Sequence, residues 1–189
     1  MFDRQGQRKY LNGAERQAYL EMLLRERDEE RRAFGLTLFY TGCRISEALN
    51  LTAARVDLSQ RCLVFETLKR RKHGVFRGVP IPDNLIRILA VLAESMEPCD
   101  KIWSFSRATA YRYVKSLMMH SNITGPMGSP KGLRHGFAIA AIGRNIPLPA
   151  VQKWLGHARL ETTAIYLNVS GDEERQLAKR IWSESESLE

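Results

Sequence analysis

Three short segments hold the residue types that bond-making chemistry needs. They are Thr41-Gly42-Cys43-Arg44-Ile45-Ser46-Glu47-Ala48-Leu49, Gly132-Leu133-Arg134-His135-Gly136-Phe137-Ala138, and Leu155-Gly156-His157 followed nine residues later by Tyr166. Two arginines, a histidine and a tyrosine suit an in-line phosphoryl transfer that uses no metal. In such a reaction charge gathers on the equatorial oxygens of phosphorus, and fixed cations must neutralise it. The planar guanidinium binds two oxygens at once, so arginine fits the task better than lysine. A nucleophile must also be presented and the departing oxygen must be protonated. A free phenol has a pKa of about 10, so a tyrosine nucleophile calls for a strongly cationic pocket. Arg134 falls among apolar residues, where an unpaired cation is costly and a bound phosphate would explain it.

These residues need a scaffold, and the sequence predicts a mainly helical one with a small antiparallel β-hairpin (α+β). Asn12 is a suitable N-cap for a helix through residue 25, with Ala14, Ala18, Tyr19, Met22 and Leu23 on one side. A second helix is expected from Asp28 to Tyr40, broken at Thr41-Gly42, with a short helix from Arg44 to Leu49. Residues 61–67 and 75–81 read as two strands around a basic loop containing Gly74. Helical spacing returns at Leu85, Ile88, Leu89 and Leu92, and again over residues 107–120, 131–143, 148–155 and 160–167, with a last helix from Gly171 to Trp182. Pro149 suits a first helical turn. Residues 1–170 read as one domain, and 171–189 as a helix with a polar tail.

Several chemistries lack their residues. The chain has no Gly-x-x-x-x-Gly-Lys-Ser/Thr loop, no Gly-x-Gly-x-x-Gly after a strand, no His-Glu-x-x-His and no Gly-x-Ser-x-Gly. Cys43, Cys62 and Cys99 are scattered, and the four histidines do not fall at zinc-ligand spacing. No metal and no cofactor are therefore expected, and the cysteines read as small core residues in a reducing cytoplasm. No apolar run approaches the roughly 18–20 residues of a membrane span, and the polar N-terminus lacks a signal-peptide core.

Charge points to a partner. The 189 residues carry a formal charge of +8. Residues 171–189 hold six acids against three bases, net −3, which leaves +11 on residues 1–170. The densest basic run is Lys69-Arg70-Arg71-Lys72, with Arg77 close behind and no acid between Thr67 and Pro82. A body this basic favours a polyanion, nucleic acid before membrane. Arg70, Arg71, Lys72, Arg77, Arg107, Arg112 and Lys115 are the expected DNA contacts.

In that order and at suitable spacing, the segments resemble the catalytic domain of the tyrosine recombinase (phage integrase) family. The family's first box, Thr-Gly-x-Arg-x-x-Glu-Leu/Ala-x-x-Leu, is matched by residues 41–51. Its second, His-x-Leu-Arg-His, is met by Lys131-Gly132-Leu133-Arg134-His135. Its third is met by Leu155-Gly156-His157, Thr162-Thr163 and Tyr166, and the intervening hairpin ends in Arg-x-Val-Pro at Arg77 to Pro80. The resemblance covers about residues 10–170.

The resemblance implies a site-specific recombinase that cuts and rejoins double-stranded DNA through a 3′-phosphotyrosyl link and a Holliday junction. Arg44 and Arg134 would hold the scissile phosphate, Tyr166 would attack it, and His157 would bond the phosphate or assist proton transfer. Lys69 would protonate the leaving 5′-oxygen if the hairpin is aligned from its first strand; counting back from Val79-Pro80 selects Lys72 instead. Glu47 would orient its neighbours, and His135 has a supporting role or a structural one. Lys131 stands where the family usually has histidine, and as a cation it can still contact the phosphate. The segment after the tyrosine would dock on a neighbouring protomer in a tetramer on DNA, from a chain monomeric in free solution. Thr41 comes so early that no separate N-terminal clamp domain is expected. A non-catalytic DNA-binding relative is the competing reading, and a type IB topoisomerase relative a third.

Overall fold

A computed structural model describes residues 1–67 and 74–167. The expected loop cations Lys69, Arg70, Arg71 and Lys72, and the expected helix from Gly171 to Trp182, lie outside the described residues.

Helix α1 (Gly13–Arg25) begins at a reciprocal cap: the Asn12 side chain accepts from the Glu15 N–H, and the Glu15 carboxylate accepts from the Asn12 N–H, both at 2.8 Å. Helix α2 (Glu29–Thr41) starts at Asp28, whose carboxylate accepts from Arg31 N–H. It is the central helix, burying Ala33, Phe34, Leu36, Leu38 and Phe39 against α1 and the later helices α4 and α6. A residue in the left-handed region, Gly42 at φ 59°, stops it. A Cβ at that position would overlap the Phe137 ring, so both the conformation and the packing require glycine. The chain thereby turns at once into α3 (Ile45–Leu49), with Arg44 as its N-cap residue.

A three-stranded antiparallel sheet follows in the order β1 (Val56–Asp57), β2 (Cys62–Glu66), β3 (Phe76–Pro80). The hairpin was expected; β1, only two residues long, gives no periodic signal and was not. Alternation places Leu63 and Phe65 of β2 and Arg77 and Val79 of β3 on the buried face, with Leu63 opposite Val79 and Phe65 opposite Arg77. Helices α4 (Asp83–Ala93), α5 (Arg107–His120), α6 (Pro130–Gly143) and α7 (Leu148–Leu155) fall where helical spacing placed them. The helix expected over residues 160–167 is shorter: α8 spans Glu161–Ala164, and Tyr166 follows it in a turn.

Two hydrophobic clusters result. The larger surrounds α2, and the smaller joins Tyr10, Ala138, Ile139, Ala141, Val151, Leu155 and Tyr166 beneath α6 and α7. Two expectations are corrected here. Ala14 is exposed, because the buried side of α1 is set by Tyr19 and Leu23. Only Cys43 is a core cysteine; Cys62 is half-buried on the outward face of β2 and Cys99 is exposed in a turn. Among the described residues no helix is long and apolar enough to cross a membrane, and no cluster of His, Cys, Asp or Glu could hold a metal ion.

Candidate active site

The αL turn at Gly42 and the capping of α3 determine where Arg44 sits. Glu47 folds back one helical turn, and its Oε2 accepts from the Arg44 N–H at 2.9 Å. Its Oε1 accepts from Arg44 Nη1 at 2.6 Å. The carboxyl is fully buried and also accepts from Arg77 Nη2 at 2.6 Å. Burial alone would raise the Glu47 pKa, but Arg77 and Arg44 together hold it below the ordinary carboxylate value.

Arg134 projects from α6 beneath this pair. Its Nη1 donates to Gly42 O at 2.8 Å, and its Nη2 to Leu155 O at 2.7 Å and to His157 Nε2 at 3.0 Å. A guanidinium only donates, so His157 Nε2 is the acceptor and the imidazole proton sits on Nδ1, 2.9 Å from Thr163 Oγ1. His157 is carried just past the end of α7 by Gly156, in the left-handed region at φ 66°. Burial, then the Arg134 and Arg44 charges, lower its pKa to about 4, so the ring is neutral at pH 7.

Tyr166 is 1 % exposed, and its ring stacks on that of His157 with 6.2 Å between centroids. Its hydroxyl lies 2.9 Å from His135 Nδ1, one residue along α6 from Arg134. Burial, followed by Lys131 and Arg134, pushes His135 down to about 4, so the ring is neutral and, with its proton on Nε2, accepts from the phenol at Nδ1. The cationic pocket was expected to lower the Tyr166 pKa. Instead burial raises it, and the opposing pull of Arg134 and Arg44 does not overcome that.

Arg44, Arg134, His135, His157 and Tyr166 open onto one cavity of about 740 Å³. Arg44, Arg107, Lys131, Arg134, His135, His157 and Tyr166 line it, and among the described residues no carboxylate does. Such a lining accepts an anion and offers a phenol and two neutral imidazoles beside it. The sequence-expected residues Arg44, Lys131, Arg134, His135, His157, Tyr166 and Arg107 are thus brought together. Others are not. Arg112 and Lys115 line a separate shallow depression on α5, and Lys115 Nζ is committed to Gly128 O at 2.7 Å. Arg77, expected at the DNA surface, is 6 % exposed with its guanidinium turned inward, because it shares the inner face of β3 with Val79. That placement was readable from the alternation of the strand. Thr163 and Thr67, which meet His157 and Arg77, were missed as polar partners.

The description "Phage integrase family" fits residues 9–173 of the chain. A tyrosine recombinase of Thermosipho africanus is 34% identical over 151 residues, covering 76% of this chain and 51% of that protein. Tyrosine recombinase XerD of Rhizobium meliloti is 33% identical over 143 residues, covering 70% of this chain and 45% of that one. The chain thus spans about half the length of these curated relatives. Among solved structures, XerA recombinase superposes with a TM-score of 0.76 at 25% identity, over 90% of this chain and 64% of that one. XerH site-specific recombinase bound to its difH substrate, in a pre-cleavage complex, gives 0.74 at 21% identity over 96% and 59%. By the family match across most of its length, with the two arginines, the histidine and the tyrosine on one cavity, this chain belongs to the phage integrase family of tyrosine recombinases.

Proposed function

We propose that the chain cuts and rejoins double-stranded DNA by metal-free transesterification, acting as a site-specific recombinase. The observation that carries this is a phenol sharing one cavity with two arginines, with no carboxylate among the described residues that line it. A phosphodiester enters between Arg44 and Arg134, which neutralise the charge that grows on its non-bridging oxygens. The Tyr166 oxygen attacks phosphorus in line, forming the 3′-phosphotyrosyl bond as the bond to the 5′-oxygen breaks. His135 Nδ1 lies 2.9 Å from the phenolic oxygen and, in the tautomer protonated at Nε2, takes the phenolic proton. The incoming phosphate places a negative charge near Lys131 and Arg134, two of the cations that depress His135, and so raises its basicity when the proton must move. Lys69 protonates the leaving 5′-oxygen, with Lys72 the alternative. Attack by a 5′-hydroxyl of a second strand reverses the steps and exchanges strands through a Holliday junction. Four copies assemble on two duplexes, residues 171–189 docking on a neighbour, and the chain acts in the cytoplasm where its substrate lies.

The test is a pool of nicked duplexes with randomised cores, from which a covalent protein–DNA adduct resistant to detergent is recovered and sequenced. Tyr166→Phe should abolish the adduct; an adduct that survives means another nucleophile. Salt-sensitive DNA binding with no adduct from the unsubstituted chain would instead support the non-catalytic reading. On the recovered duplex, a 5′-bridging sulfur, which leaves without needing a proton, should restore cleavage to Lys69→Ala but not to Lys72→Ala. The reverse pattern assigns the acid to Lys72.

A further inference from the structure

We infer that Arg77 is a positioning residue for the strand-transfer reaction, binding together the Arg44 segment, the base of the basic loop and the turn that leads to His157, and fixing Arg44 through Glu47; this rests on the reading above. Each nitrogen of its guanidinium reaches a different part of the site. Nη2 donates to Glu47 Oε2 at 2.6 Å, Nη1 to Thr67 Oγ1 at 3.2 Å, and Nε to Trp154 O at 2.8 Å. Glu47 belongs to the α3 segment that begins at Arg44. Thr67 is the residue from which the basic loop departs, its own N–H closing the hairpin onto Val75 O at 2.9 Å. Trp154 immediately precedes the Leu155-Gly156-His157 segment.

The surroundings are shaped to this side chain. Its Cζ lies 5.3 Å from the centre of the Phe65 ring, its partner across the sheet. On the other side Gly156 leaves the room it occupies: a Cβ there would come within 2.9 Å of Arg77 Cζ. Three acceptors on three elements match the fixed fork of a guanidinium, and a lysine ammonium on a single flexible stem cannot meet them together.

The consequence for chemistry runs through the carboxylate. Glu47 divides its oxygens, Oε1 to Arg44 Nη1 and Oε2 to Arg77 Nη2 and the Arg44 N–H. Without Arg77 the carboxylate keeps only its bonds to Arg44 itself, so nothing outside the α3 segment holds the pair, and the guanidinium of Arg44 loses its orientation toward the phosphate. The DNA-facing role that its basic neighbourhood suggested belongs to other residues.

The experiment uses the full 189-residue chain and the duplex recovered by covalent trapping. Arg77→Lys keeps the charge; its cleavage rate at saturating DNA should fall by about 100-fold, the loss expected from misplacing a reacting group. Its Kd for the duplex should not change. The double variant Arg77→Met/Glu47→Gln removes both buried charges, so it should melt like the parent yet cleave as poorly as Arg77→Lys. That combination separates positioning from a structural role. The slope of DNA binding against salt should be unaltered in the double variant, whereas a lost phosphate contact lowers it by about 0.9. Parent-like cleavage by both variants, or a lowered salt slope with normal cleavage at saturation, overturns the inference. If the unsubstituted chain makes no adduct, the strand-transfer reading fails alone. The inference then stands or falls on whether a crystal structure of Arg77→Lys shows the Arg44 guanidinium displaced or unmoved.

Discussion

Arg77 and Arg134 are buried almost equally, at 6% and 7% exposure, yet they sit in opposite electrostatic surroundings. Arg77 faces a fully buried carboxylate that accepts from it at 2.6 Å. Arg134 is held by two backbone carbonyls and a neutral imidazole, none of which offsets its charge. Burial, then repulsion from Arg44, lowers the Arg134 pKa to about 10, only partly opposed by Glu47. Burial therefore does not tell the two arginines apart; the countercharge does. A buried arginine that meets a carboxylate has its charge already answered, and its hydrogen bonds serve to connect elements. One held by neutral acceptors at the wall of an anion-sized cavity keeps its charge for a ligand, at a standing cost in desolvation.

The largest effect should come from Arg134. Arg134→Met should lower covalent cleavage of the trapped duplex by at least about 10³-fold, the upper range for losing one fixed stabiliser of transition-state charge. Its stability in urea should change by less than about 1 kcal/mol, since water in the cavity can meet the freed carbonyls while an unanswered charge is removed. Sulfate should raise the melting temperature of the parent by mass action and leave that of Arg134→Met unmoved. A sulfate response that persists in the variant would place the anion elsewhere.

The Arg77 side of the contrast should read out in stability. Arg77→Met leaves Glu47 with one cation instead of two and should destabilise the fold by about 3 kcal/mol, the low end for breaking a buried ion pair. Adding Glu47→Gln should recover most of that loss. Further destabilisation on adding it would show that Arg44 alone answers the carboxylate, and would weaken the contrast at its root.

The two arginines also mark what the sequence discloses. That Arg44, Arg134, His157 and Tyr166 belong together was legible because their segments match the family's boxes in order, and they do line one cavity; the helices of the scaffold announce themselves through apolar periodicity and caps such as Asn12 and Asp28. Arg77 was misread because its neighbours in sequence, Lys69 to Lys72, suggested a charged surface. Its neighbour across the sheet, Phe65, and Val79 on its own strand decide its direction. The raised pKa of Tyr166 was not legible at all. Counting cations predicts a lowered value, whereas burial in the Tyr10–Leu155 cluster, a purely tertiary matter, sets the balance. Similarly, nothing local tells that His135, and not Lys131, meets the phenol; that follows from where the turn after α8 returns to α6.

Acid should separate the two regions by pH window. His135 and His157 have folded values near 4, below the ordinary histidine value of about 6.5. Between those limits the unfolded chain binds protons that the folded chain refuses, so their contribution is present above pH 6.5 and is lost as pH falls toward 4. Glu47, held below the carboxylate value, contributes above about pH 4.5 and is lost only below it. Urea midpoints measured from pH 7 to pH 4.5 should therefore fall in the parent and fall less in Arg134→Met, since Arg134 is the largest charge depressing His157. Arg77→Met should start from a lower midpoint, fall over that range with nearly the parent's slope, since Arg77 is the least of the charges that depress His157, and differ in slope below it. Equal slopes for all three would mean that Arg134 does not set the state of His157.

The smallest expected effect tests whether the two regions are mechanically joined. Gly156 sits between them: its carbonyl-side neighbour is His157, which Arg134 contacts, and its missing side chain makes room for Arg77. Gly156→Ala should cost about 1–2 kcal/mol from the left-handed backbone alone. The added methyl also presses on Arg77 Cζ, which can yield only by releasing Trp154 O, Thr67 or Glu47. In the Arg77→Met/Glu47→Gln background that pressure is absent, and only the backbone cost remains. Gly156→Ala should thus be more costly in the parent than in the double variant, as read from urea unfolding of the four proteins. An equal cost in both backgrounds would show that the turn after α7 and the buried arginine of β3 are packed side by side without coupling, and that Arg134 and Arg77 serve the site independently.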